Sequence, residues 1–250
     1  MECSLWSSLT DTYAKVPMAI TAENLAVKYN ITREDCDKFS LTTQQRWGEA
    51  HKAGRFNDEL VGVPIKVKGK DAMFEMDEHP RPDVTLEQLA KLKPVFKKDG
   101  VVTAGNASGV NDGAGALVLA SEDAVKKHSL TPLARVAGYA SVGVDPTIMG
   151  IGPAPSIRKV LQNNNLTLDQ IDVIEVNEAF AAQFLAVAKD LGLDLNKTNV
   201  NGGAVALGHR KFVKLLFYHV LIHSFPKKHY SIGRIWCPYF VQSCIRIETT

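Results

Sequence analysis

Apolar residues recur at helical spacing in several stretches of the chain. Cys36, Phe39, Thr43, Trp47 and Ala50 share one face behind Thr32, a capping residue followed by Arg33-Glu34-Asp35. The acidic pair suits the positive end of a helix dipole, and Gly54 can end the helix. Thr85-x-x-Gln88 is a capping box ahead of Leu86, Leu89 and Leu92. The apolar run Ala116–Ala120 predicts a buried strand, and Ser121 then opens a short helix. Val173–Val176 predicts a second strand, and Thr198–Ala206 a third. Between them, Glu178–Leu191 predicts a helix with Phe180, Phe184, Val187, Ala188 and Leu191 apolar and Gly192 beyond its end. Strands alternating with helices over short connections indicate layered α/β structure. No internal repeat and no low-complexity tract interrupts the pattern.

Composition adds limits. The chain has 250 residues, 45% hydrophobic and 22% charged, which supports a packed core and excludes disordered or collagen-like classes. A formal net charge of +2 gives no overall electrostatic case for nucleic acid or a membrane surface. Four scattered cysteines, Cys3, Cys36, Cys237 and Cys244, suit neither a disulfide framework nor a zinc site. No run of about 18 apolar residues predicts a transmembrane helix. Met1-Glu2-Cys3-Ser4 does not read as a signal peptide.

The average conceals a break after residue 210. Residues 1–210 carry a net charge of −3 and residues 211–250 a net charge of +5. The later segment also holds eight of the 19 aromatic residues and one glycine, Gly233. It reads as a basic aromatic module or as sequence foreign to the domain before it.

Three runs carry candidate chemistry. Ala104–Gly115 is glycine-rich; it is either a tight turn or a backbone cradle for an anion, and it matches no standard dinucleotide or phosphate-loop pattern. Val176-Asn177-Glu178-Ala179-Phe180 lies at a strand-to-helix junction. Asn177 there is either a helix cap or a polar residue facing a ligand at a strand end. Asn201–His209 opens on two glycines and closes on Gly208-His209; the histidine is either structural or a base and oxyanion donor.

Taken together, the motifs resemble the thiolase family. They are MAITAEN (18–24), DEHPRPDVTLEQLAKLKPVFKKDG (77–100), VTAGNASGVNDGAGAL (102–117), MGIGP (149–153), VNEAFAAQ (176–183) and NVNGGAVALGH (199–209), and the likeness covers residues 5–209. The resemblance implies an incomplete thiolase-like α/β fold. Its loop domain would span 1–103, and the last strand and helix of the N-terminal domain 104–129. The first part of the C-terminal domain would span 130–209, with a non-thiolase basic aromatic tail at 211–250. It also implies an activity: cleavage of a 3-ketoacyl-CoA by CoA to acyl-CoA and acetyl-CoA, in fatty-acid β-oxidation in the mitochondrial matrix. Thiolases form an acyl-cysteine thioester. By the same likeness His209 would activate the nucleophile and bind the thioester oxygen, and Asn177 would hold a water that completes the oxyanion hole. Arg81 and Ser108 would contact CoA, Gly109 would lie near the thioester, and Met149, Gly150 and Phe180 would line the acyl end. CoA and acyl-CoA would be substrates, with no separate cofactor and no metal, and the partners would be subunits of a thiolase homo-oligomer.

The sequence also departs from the family. Neither Cys3 nor Cys36 stands in the nucleophile's motif, and Cys36 is expected in the core. After His209 the family's proline and glycine-rich turn are replaced by Arg210-Lys211-Phe212-Val213. Ser243-Cys244-Ile245-Arg246 lacks the glycines of the late Cys-x-Gly motif. The expectation is a chain inactive alone, or a non-catalytic product that binds CoA or a thiolase subunit.

Overall fold

The computed structural model describes residues 7, 9–210, 229–237 and 240–248; from residue 210 onward only the backbone is described. Cys3 lies outside the described residues, and nothing is placed for the side chains of Cys237 and Cys244.

Helix α1 (Met18–Lys28) is followed by α2 (Arg33–Lys52), the longest described element. The predicted cap of α2 is present in both directions. Asp35 N donates to Thr32 Oγ1 at 3.1 Å and Thr32 N donates to Asp35 Oδ2 at 2.9 Å. The backbone bond from Thr32 holds the Asp35 carboxyl below the usual carboxylate range. Cys36, Phe39, Thr43, Trp47 and Ala50 are all buried, as their spacing predicts. Gly54 leaves the helix at φ +68°. A two-stranded antiparallel hairpin follows, β1 (Val63–Val67) with β2 (Lys70–Phe74). Helix α3 (Leu86–Ala90) starts at the Thr85–Gln88 capping box.

Strand β3 (Val110–Asn111) precedes the exposed segment 112–118. The predicted buried strand at Ala116–Ala120 does not form there. Leu117 and Val118 are 66% and 72% exposed. The run pairs only at single residues, Val118 and Ala120 each forming a bridge, and two isolated bridges do not make a ladder; Ala120 alone of the five is buried. Ser121 does cap a helix, α4 (Glu122–His128). Strand β4 (Ala134–Val142) leads through a 3₁₀ turn (Pro146–Ile151) into α5 (Pro153–Asn163). A second 3₁₀ turn (Leu168–Gln170) precedes β5 (Val173–Ile174). Helix α6 (Ala181–Leu191) ends at Gly192, φ +68°.

The third predicted strand, Thr198–Ala206, is also replaced. Its first part is a turn with Gly202 at φ +78°, and Ala204–Leu207 is the short helix α7. The backbone donors of Gly203 and Val205 bond the Thr43 hydroxyl and the Glu178 carboxyl instead of a neighbouring strand. Strand β6 (His209–Arg210) then pairs in parallel with β3.

The main core gathers α1, α2, α5 and α6. Leu25, Ile157, Val160, Phe184 and Val187 are almost fully excluded from solvent. Phe39 stacks on Phe184 with ring centroids 4.3 Å apart, worth about 0.5–1.5 kcal/mol beyond the area buried. Strands β7 (His229–Cys237) and β8 (Phe240–Glu248) form an antiparallel pair inside a sheet ordered β4-β8-β7-β5. Composition set residues 211–250 outside the core, and a dispensable tail would follow. The pairing differs: β8 and β7 stand between β4 and β5, which share no hydrogen bonds of their own.

The topology predicts that cutting the chain after residue 210 broadens or abolishes its cooperative urea transition, because the cut removes the two central strands of that sheet. An unchanged midpoint and slope in the shortened chain would show that the hairpin contributes nothing to the core.

Candidate active site

The three motif runs, far apart in sequence, meet in space. Residues 104–109 dock on the junction at 176–180. Ala181 N donates to Asn106 O at 2.8 Å, Ser108 N donates to Ala179 O at 3.0 Å, and Ala107 and Phe180 form a bridge. Ser108 Oγ donates to the same Ala179 carbonyl at 3.0 Å, so its lone pairs remain available as acceptors. The Gly208-His209 end pairs with the other side of the glycine-rich run. His209 N donates to Gly109 O at 2.6 Å, Val110 faces His209 in register, and Asn111 Nδ2 donates to Leu207 O at 2.9 Å.

One buried carboxyl holds this arrangement. Glu178 is fully excluded from solvent. It accepts from Thr43 Oγ1 of α2 at 2.9 Å, from Asn199 Nδ2 at 2.8 Å and from Val205 N at 3.2 Å. Asn199 also closes a pair with Val176, accepting from its N–H at 2.8 Å and donating to its carbonyl at 2.7 Å. Gly203 is a glycine for room, since a Cβ there would collide with the Glu178 carboxyl. Burial raises the Glu178 pKa, and its three donors, from Asn199, Thr43 and Val205, oppose that rise.

Asn177 sits between Val176 and Glu178, both fixed by this network. It does not cap α6. Phe180 is extended at φ −146° and occupies the capping position because it pairs with Ala107. The Asn177 Nδ2 is buried without a hydrogen-bond partner among the described residues. Gln183 belongs to the same junction. Ala179 N donates to its Oε1 at 3.2 Å, which fixes the amide orientation and leaves its buried Nε2 without a partner. The Gln183 stem also reaches the other candidate turn. A Cβ on Gly150 would lie 2.6 Å from Gln183 Cγ, so Gly150 lets that turn close on α6. Met149, Gly150 and Phe180 are half-buried around this junction.

Arg81 is exposed, and its Nη1 is bound by the carbonyls of Glu78, His79 and Pro80 at 2.6–2.9 Å. The loop is held to the site through Gln44, whose Oε1 accepts from Arg81 N at 2.7 Å. His79 Nδ1 lies 2.7 Å from Ala206 O. Cys36 is buried as expected, and burial, reinforced by Asp37, pushes its thiol up to about 12, so it is no thiolate donor. Among the described residues no group of three His, Cys, Asp or Glu could hold a metal, and no helix is long and apolar enough to cross a membrane.

Sequence reasoning missed Glu178, Asn199, Gln183 and His79, although all four stand inside the runs quoted above. For Glu178 the available signal was a carboxylate two residues after an apolar strand and followed by Ala179-Phe180, where it has no reason to sit unless it is bonded.

Comparison with known proteins decides the ancestry. Residues 1–123 match the thiolase N-terminal domain and residues 130–211 the thiolase C-terminal domain. The chain belongs to the thiolase family. It is 63% identical over 210 residues to the mitochondrial 3-ketoacyl-CoA thiolase of Bos taurus, covering 84% of this chain and 53% of that protein. The thiolase chain thus spans about half the length of such relatives. The crystal structure of human mitochondrial 3-ketoacyl-CoA thiolase superposes with a TM-score of 0.84 at 46% identity, covering all of this chain and 64% of that one. The same human enzyme in complex with CoA gives a TM-score of 0.83 at 47% identity over 99% of this chain and 63% of that one. The fold is therefore part of the α/β thiolase fold.

The Glu178 network yields a prediction. In Glu178→Gln the single amide oxygen cannot serve all the donors, and its NH₂ faces either Asn199 Nδ2 or Val205 N. The cost is expected to be about 1–3 kcal/mol in urea unfolding. The raised pKa has a sign. The folded state holds the proton to higher pH than the unfolded chain, so this group's contribution to stability falls as pH rises from 4.5 to its raised value. That slope should vanish in Glu178→Gln.

Proposed function

We propose that this chain carries the CoA-thioester side of a thiolase active site, of the type that exchanges acyl groups between 3-ketoacyl-CoA and CoA. The observation that carries the reading is the buried, unpartnered Asn177 Nδ2 beside the paired turns that end in Gly109 and His209. A buried donor without an acceptor costs about 1–3 kcal/mol, and an oxygen that it binds, a water or the thioester oxygen, offsets that cost. In this reading Asn177 holds the oxyanion side and His209 is base and second donor. Each such donor is worth about 10²–10³ in rate. Ser108 accepts from the CoA arm, and Gly109 lies near the thioester. Arg81 meets the nucleotide end, and Met149, Gly150 and Phe180 line the acyl chain. The proposed setting is β-oxidation in the mitochondrial matrix, with other thiolase subunits as partners; the names of the relatives support the mitochondrion alone.

A second reading is favoured by Cys36, whose buried, proton-bound thiol cannot attack a thioester. In this reading the chain binds CoA, or a thiolase subunit, without turning it over.

Calorimetric titration with CoA tests the binding part. Wild type should bind, with Ser108→Ala and Arg81→Ala each weaker by about threefold to tenfold, the worth of one or two hydrogen bonds. Equal affinity in all three proteins would remove these contacts. No cleavage of acetoacetyl-CoA is expected. Cleavage lost on Cys244→Ser would give that cysteine the part of the late Cys-x-Gly motif.

A further inference from the structure

The stretch 100–106, which leads into the glycine-rich turn, is clamped by a buried carboxyl from each of the first two helices. Glu23 of α1 accepts from Val101 N at 3.0 Å and from Val102 N at 2.9 Å. Gly100 leaves room for it, since a Cβ there would meet the Glu23 carboxyl. Asp37 of α2 accepts from Asn106 Nδ2 at 3.2 Å. Glu23, Asp37 and Asn106 are all buried. A carboxyl keeps such a place only where its oxygens are bonded. Those of Asp37 receive Arg33 Nε at 2.8 and 3.0 Å, and Arg33 Nη2 reaches on to the carbonyls of Leu89 and Leu92 at and beyond the end of α3.

Asn106 joins this clamp to the site. Its Oδ1 accepts from Thr103 N at 2.8 Å, and its Nδ2 also donates to Val101 O at 2.8 Å. Its side chain thus faces α2, while its own carbonyl receives the first amide of α6, Ala181 N. The next two residues make the bridge to Phe180 and the bond to Ala179 O. Any shift of Asn106 therefore moves Ser108 and Gly109 against Asn177. We propose that Asp37, held by Arg33, is a positioning residue for the CoA-thioester site and acts through Asn106. The assignment rests on the CoA reading above and adds to it a residue that touches no ligand.

Asn106→Asp puts a second carboxyl beside Asp37. Of two such buried neighbours one keeps a proton, and the protonated oxygen rebuilds the lost bond. The charged groups facing the pair are Arg33 and, across Val101, Glu23. In that variant the docked turn holds the proton to higher pH than the undocked turn, so CoA affinity falls as pH rises through the raised value. The full chain is titrated calorimetrically with CoA. From about pH 5 to about pH 8, Asn106→Asp should weaken relative to wild type by about tenfold or more, each unit of raised pKa being tenfold in affinity. Adding Asp37→Asn leaves one carboxyl in the pair and should remove that pH dependence.

A wild-type pH profile in Asn106→Asp overturns the proposal and leaves the CoA reading intact. A pH dependence that persists in the double variant also overturns it, since another charge then causes it. Wild type that binds no CoA overturns the CoA reading, and amide exchange then decides the positioning. The Ala181 and Ser108 amides of Asn106→Asp should lose protection relative to wild type at the higher pH, and unchanged protection overturns the assignment. If Asn106→Asp does not fold, Asp37→Leu takes its place. Exchange should then quicken at those two amides and stay unchanged in α5; no change at the two amides, or an equal loss in α5, overturns the proposal.

Discussion

A carboxyl group buried without an ion pair is the constraint on which the site depends. Glu178 makes no ion pair among the described residues; hydrogen bonds from α2, the Asn199 turn and α7 compensate it, and the charge of Arg46 adds to them. Removing it from water costs several kcal/mol unless every lone pair is engaged. That demand couples three segments. If any one moved away, a donor and an acceptor would both be stranded in the core. The position of Asn177, one residue earlier, follows from the same network, as does the turn that leads to His209.

Close approach of backbones does the rest. Gly202 lies with the α2 backbone where a Cβ would stand, 2.6 Å from Thr43 O, and it also needs a positive φ. Gly150 admits the Gln183 stem and Gly203 admits the Glu178 carboxyl. The apolar core beneath, with Phe39 stacked on Phe184, fixes α2 against α6 and so fixes the spacing that these contacts require. Packing at this density transmits position, because a methylene out of place is felt by its neighbours. The polar network lies on top of that frame and sets the order of the turns.

The site thereby divides into a satisfied part and an unsatisfied part. Glu178, Asn199 and Thr43 are fully occupied with one another and serve geometry. Asn177 Nδ2 and Gln183 Nε2 are buried donors with no acceptor among the described residues. Groups of the second kind are expensive in a finished fold and are kept where a ligand or a water completes them.

Local structure was legible from local sequence. The Thr32 and Thr85 caps, the buried stripe of α2, the Ser121 start of α4 and the glycine ends at Gly54 and Gly192 all follow from residues a few positions apart, and all formed. The motifs that carry the family likeness were legible too, since they are short and lie in family order. Strands were not. Ala116–Ala120 and Thr198–Ala206 have the composition of strands, yet one makes only isolated bridges and the other turns into α7. The segment after 210, set apart by its charge, contains two strands that pair between β4 and β5. A helix bonds to itself, so its sequence suffices. A strand, a buried carboxyl and an orphaned amide are each defined by a partner far away in the chain, and only the tertiary structure supplies that partner.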